Sequence, residues 1–149
     1  MKKEIVQESI VFLLILLFIY TAVSKLIAFD TFRLQLEHQP LTKLYASLFS
    51  ILIPTVELVI AIFLILPTLR KVGLQLSLIL MTTFTLYVGY MLYVWPHNKL
   101  PCSCGGIIKQ MSWTQHLAFN ILFTLFALLG VILTKTRRFD AKVDKALYA

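Results

Sequence analysis

Two cysteines stand one residue apart in Pro101-Cys102-Ser103-Cys104-Gly105-Gly106, and the chain has no others. Such a pair can exchange electrons with another disulfide, hold a metal ion, or sit as a static bridge or unpaired thiols. In a disulfide the Cα atoms usually lie about 4.4–6.8 Å apart, so a one-residue spacing closes only under some strain. Strain raises the reduction potential, making the bond labile and a better oxidant than a structural one. Gly105 and Gly106 allow the backbone angles that a tight exchange site needs. Lys99, Lys109 and the start of a following helix favour thiolate over thiol. The metal reading uses Cys102, Cys104 and His97, with His116 as a further imidazole, and suits Zn or Cu(I). That spacing matches no standard zinc pattern.

A second group of residues lies inside apolar sequence. Glu57 is the only acidic residue deep in such a run. A charge at mid-bilayer costs several kcal/mol, so Glu57 must be neutral, paired or lining a polar cavity. Lys25 is the expected partner. Glu57 and Lys25 then form either a proton or quinone-headgroup site, or an interhelical bond that fixes packing. His116 and Asn120 are four residues apart and share a helix face below the dithiol. His116 is a candidate base for a cysteine thiol or a contact for a quinone carbonyl; its structural alternative is an interfacial hydrogen-bonder. Thr83, Tyr87 and Tyr90 either complete a polar pocket or serve as packing and interface residues.

The elements that must position these groups are apolar helices. The 149 residues are 59% hydrophobic and only 14% charged, with a mean hydropathy of +0.85. A soluble domain would be about half apolar and about a quarter charged. The excess gathers into four runs, at 5–27, 48–66, 72–94 and 113–134. Each is long enough to cross a hydrocarbon core of about 30 Å. The expected fold is all-α: one polytopic domain over 1–149, a four-transmembrane-helix bundle. Between the first two runs, Asp30 can cap a short interfacial helix with Phe29, Phe32 and Leu36 on one face, broken at Pro40. An ordered loop packed on the bundle is the alternative there. The fourth helix starts at Ser112, which has capping-box spacing to Gln115. The basic tail 135–149 reads as partly helical or disordered at the membrane surface. Lys2 and Lys3 before an apolar run and Ala22-Val23-Ser24 also make a signal-peptide pattern. Apolar character continues through Leu26 to Phe29, which favours a retained helix.

Net charge is +7, but the basic residues flank the runs and form no patch, so a nucleic-acid partner is not expected. The partner they imply is the lipid bilayer. Lys2, Lys3, Arg70, Lys71, Lys135, Arg137, Arg138, Lys142 and Lys145 share one side. Arg33, Lys43, Lys99 and Lys109 share the other. The positive-inside rule makes the first side cytoplasmic, with both termini there. The dithiol loop is then extracytoplasmic, in a compartment that bacteria keep oxidising. No Gly-rich phosphate loop, nucleophile elbow or HExxH pattern is present.

Three stretches carry a family resemblance. Tyr20-Thr21-Ala22-Val23-Ser24-Lys25-Leu26, Ile53-Pro54-Thr55-Val56-Glu57-Leu58 and the dithiol loop resemble the MauE/DoxX family of small four-helix bacterial membrane proteins. The resemblance implies a redox-associated protein of the inner membrane, a periplasmic thioredoxin-like partner and, from the DoxX side, coupling to quinone. Its namesake branch implies methylamine metabolism, but there Gly stands between the cysteines where this chain has Ser103. The resemblance leaves two functions in view: thiol–disulfide exchange during maturation of extracytoplasmic proteins, or a non-enzymatic assembly or Cu/Zn-binding subunit. The architecture also resembles disulfide bond formation protein B and vitamin K epoxide reductase, which use two cysteine pairs beside a quinone. The first outer loop here has no cysteine, so a complete internal relay is not available.

Overall fold

The computed structural model describes residues 2–39, 41–94 and 112–147. Cys102, Cys104, His97, Lys99 and Lys109 lie outside the described residues. Among the described residues every regular element is helical: α1 (Lys2–Ile27), α2 (Phe29–His38), a 3₁₀ turn (Lys43–Tyr45), α3 (Ala46–Ile65), α4 (Arg70–Val94) and α5 (Trp113–Leu147). Four segments are long and apolar enough to cross a membrane: Glu4–Ile27, Lys43–Ile65, Arg70–Val94 and Thr114–Thr134. The expected four-span architecture, with a short helix between the first two spans, is therefore present. Helix α5 runs past the expected end of the fourth span and carries the basic tail as far as Leu147.

The helices close into a ring in which α1 packs on α3, α3 on α4, α4 on α5 and α5 on α1. Leu14, Phe18, Ile60, Leu64, Leu74 and Ala127 fill its centre. Gly73 lets α4 approach the backbone of α3. A Cβ there would lie 2.9 Å from the Leu64 nitrogen, too close for any side chain. The outside is apolar: Phe12, Ile79, Leu86 and Leu125 are all exposed. Buried positions, in contrast, include Gln7, Lys25, Gln39, Ser50, Glu57, Ser77 and Asn120. Apolar outside and polar inside is the arrangement that a hydrocarbon solvent selects.

Side-chain bonds tie one end of the ring. Glu8 on α1 pairs with Arg70 at the start of α4 at 2.6 Å, and Gln7 donates to Thr134 on α5 at 3.0 Å. The start of α1, the 66–69 turn and the far end of the fourth span thus lie together. The opposite end holds α2, the end of α4 and the start of α5. That start is capped as its spacing predicts: the Ser112 N–H donates to Gln115 Oε1 at 2.9 Å, and the Gln115 N–H donates to Ser112 Oγ at 3.3 Å.

Helix α2 corrects one expectation. Asp30 does not cap it. The N-cap position is Ala28, which offers no side-chain bond, and Asp30 sits in the first turn, where its carboxylate faces the positive end of the helix dipole. The expected face is otherwise present. Phe32 and Leu36 are buried against Ala46, with Phe49 and Ile53 beside them, so α2 lies down on α3. On the exposed face Arg33 pairs with Glu37 at 3.1 Å.

Candidate functional site: a polar cavity inside the helix bundle

The centre of the site is a buried ion pair. Lys25 is in the last turn of α1, and Glu57 follows one turn after Pro54 in α3. Lys25 Nζ donates to Glu57 Oε1 at 2.7 Å and to Oε2 at 3.0 Å. It also reaches the Thr21 carbonyl at 3.4 Å and lies 5.9 Å from the centre of the Phe32 ring. Exposure is 8% for Lys25 and 1% for Glu57, so neither charge is solvated from outside. Lys25 must bend inward to do this. The long methylene stem allows it, and the cost of an uncompensated Glu57 requires it. Ala22, part of the stretch that also reads as a cleavage site, is fully buried in the bundle.

A cavity of about 360 Å³ opens beside this pair. All five α-helices contribute to its wall. Its apolar lining includes Phe18, Phe32, Phe49, Phe84 and Phe119 among aliphatic side chains, and its polar groups are Thr21, Lys25, Gln39, Thr42, Glu57, Thr83, Tyr87, His116 and Asn120. Asn120 is buried and lies 3.5 Å from His116 through Nδ2 and Nδ1, one helical turn apart on α5. Thr85 and Thr124 bridge α4 and α5 nearby at 2.9 Å. The sequence-predicted residues Lys25, Glu57, His116 and Asn120 thus line one space, joined by Thr83 and Tyr87. Tyr90 does not. It is 48% exposed and faces away from the cavity wall.

Two lining residues, Gln39 and Thr42, escape a search for motifs, and Thr21 lies in the stretch that ends α1 without being singled out there. Gln39 ends α2, accepting the N–H groups of Thr42 and Lys43 on its carbonyl. Its side-chain oxygen accepts a hydrogen bond from the Tyr87 hydroxyl. Its side-chain nitrogen, also fully buried, has no hydrogen-bond partner. A polar signal for it did exist. Gln39 follows Phe32 and Leu36 at helical spacing on the face that α2 turns inward.

The 95–111 connection leaves α4 after Val94 and enters α5 at Trp113. His116, in the first turn of α5, already lines the cavity. Among the described residues no three His, Cys, Asp or Glu side chains gather into a metal site.

This arrangement of spans and loop is matched by the family model described as methylamine utilisation protein MauE, over residues 3–133. The chain belongs to the MauE family. The match includes both cysteines and runs through the four spans to within one residue of the end of the last. The DoxX side of the resemblance goes beyond this match. No curated protein and no solved structure matches the chain. Within the MauE-family bundle, then, the site is a polar cavity with a fixed ion pair, lined in part by His116 in the first turn of α5.

Proposed function

We propose that this MauE-family protein is an integral-membrane thiol–disulfide redox protein. Cys102 and Cys104 exchange with a thioredoxin-like partner on the extracytoplasmic face of the bacterial inner membrane, in the maturation of exported proteins. The observation that carries this reading is the placement of the protein's only two cysteines on the connection whose exit helix lines the bundle's polar cavity. A dithiol needs a proton acceptor and a fixed platform; His116, one turn into α5, offers the imidazole for the first.

The exchange balances in two steps. A thiolate of the pair attacks one sulfur of the partner's disulfide, forming a mixed disulfide and releasing the partner's other thiolate. The second cysteine then attacks the mixed disulfide, closing the Cys102–Cys104 bond. Two electrons have passed to the partner, which leaves as a dithiol. The same steps in reverse oxidise the partner.

Charge placement supports the sidedness, since the tied end of the bundle carries Arg70 and Lys71 together with the basic stretch after Thr134. A membrane-impermeant maleimide applied to intact spheroplasts is expected to label Cys102 and Cys104 only after treatment with a reductant. Labelling that required permeabilisation would put the dithiol on the cytoplasmic side and overturn the proposal.

A further inference from the structure

The exchange reading makes no use of the cavity's most unusual atom. Gln39 is 1% exposed, its amide nitrogen is buried, and that nitrogen has no partner among the described residues. Leaving a buried donor without an acceptor is unfavourable, so the molecule carries a standing penalty at this point. Exchanging the amide's oxygen and nitrogen does not remove it, because one end of the group would still face the cavity unpaired. Tyr87 holds the other end and thereby fixes the side chain. The remaining donors nearby are engaged. Lys25 is committed to Glu57, and the hydroxyls of Thr21, Thr42 and Thr83 donate to the carbonyls of Phe18, Leu36 and Ile79. What the cavity lacks is an acceptor opposite Gln39.

The rest of the wall narrows what brings that acceptor. The one ion pair of the wall is internally neutralised, which leaves no net charge for an anionic or cationic headgroup to meet. Five phenylalanine rings stand among the aliphatic side chains of the apolar lining, which suits a flat ring system. A volume of about 360 Å³ lies at the small end of the range for organic ligands, about 300–1,000 Å³. The mouth is lateral. Leu52 on α3, 44% exposed, and Thr83 on α4, also exposed, are lining residues that face outward. They sit at matching distances along the chain from the 66–69 turn, which places them at similar depth on the two neighbouring helices α3 and α4. The seam between those helices opens on the hydrocarbon side of the bundle.

We infer that the cavity is a binding site for a neutral, ring-bearing lipid, of the quinone class, that enters between α3 and α4 and accepts a hydrogen bond from Gln39 on a carbonyl oxygen. The ring lies among the phenylalanines, and any tail leaves past Leu52 into the bilayer. This binding stands on the cavity alone and does not rest on the thiol chemistry.

The test uses the full chain in phosphatidylcholine nanodiscs, titrated with 2,3-dimethyl-1,4-naphthoquinone, whose thiol-reactive ring positions are blocked. The control ligand is 2,3-dimethylnaphthalene, the same ring without carbonyls, and empty nanodiscs correct for partition into lipid. The quinone is expected to bind about ten-fold more tightly than the hydrocarbon, the value of one hydrogen bond, with a lowered carbonyl stretching frequency in infrared difference spectra. Gln39→Leu should abolish that band shift and remove the ten-fold preference while leaving the hydrocarbon unaffected. Leu52→Trp, which narrows the mouth without touching Gln39, should weaken both ligands. It carries the test if Gln39→Leu does not fold. The Cys102→Ser, Cys104→Ser double variant should bind as the native chain does, so that failed exchange and failed binding are told apart. Equal binding of the two ligands, no binding above empty nanodiscs as for a cavity filled only by water, or a band shift that survives in Gln39→Leu would each overturn the inference.

Discussion

Glu57→Leu is expected to destabilise the bundle by about 3–5 kcal/mol, and Lys25→Met by a similar amount. Each change leaves one buried charge without its partner. The exposure of 8% at Lys25 and 1% at Glu57 means that neither survivor can be rescued by water outside the bundle. The Lys25→Met, Glu57→Leu double variant should recover most of the loss, since two apolar side chains of similar volume can fill the same space. A double-mutant cycle on thermal unfolding in detergent should therefore give a coupling of at least about 4 kcal/mol, well outside the few tenths found for independent sites. Additive losses would mean that the 2.7 Å contact between α1 and α3 is not what joins these two residues energetically. The same cycle divides the two readings of the pair. A double variant that is folded, yet no longer discriminates quinone from hydrocarbon, would show that the pair shapes the cavity as well as the packing.

The second large effect concerns the cysteines. Cys102→Ser and Cys104→Ser should each reduce net electron transfer with a thioredoxin-like partner to background, because a two-electron exchange needs both sulfurs. The two variants should differ in what they accumulate. The one that keeps the attacking thiol forms the mixed disulfide and cannot resolve it, so a covalent adduct builds up that a reductant releases. The other forms no adduct. Non-reducing electrophoresis of membranes from cells expressing each variant reads this directly. Undiminished transfer in either variant would mean that the pair does not act as a dithiol.

Much of the fold was legible because a bilayer punishes ambiguity. The four spans, the short helix between the first two and the Ser112–Gln115 cap follow from apolar run length, from Pro40 and from a three-residue spacing, and the described helices match them within a few residues. The likeliest partner of Glu57 was legible for the same reason. An acidic residue inside an apolar run must be neutral, paired or facing a polar cavity, and Lys25, in the last turn of α1, is the cation that reaches it. Asp30 misleads because capping preference is a local rule, and α2 begins one residue earlier, where the chain leaves α1 with almost no connecting loop. Tyr90 misleads because helical spacing places it near Thr83 and Tyr87, while the packing of α4 turns it outward. Gln39 was illegible as a site residue for a different reason. Its importance lies in a bond it does not make, which appears only once α2, α3 and α4 surround it.

The central claim is that the Cys102–Cys104 pair passes two electrons to or from a thioredoxin-fold protein, and counting thiols tests it most directly. Purified native chain in nanodiscs, in its disulfide form, would be mixed with the reduced form of an extracytoplasmic thioredoxin-fold protein from the same cell, then quenched with an alkylating reagent and weighed. The account predicts that the chain gains two alkylation sites together while its partner loses two, with a transient adduct of the two chains. Unchanged masses on both proteins, with neither cysteine of the chain alkylated after every thioredoxin-fold partner has been tried, would contradict it.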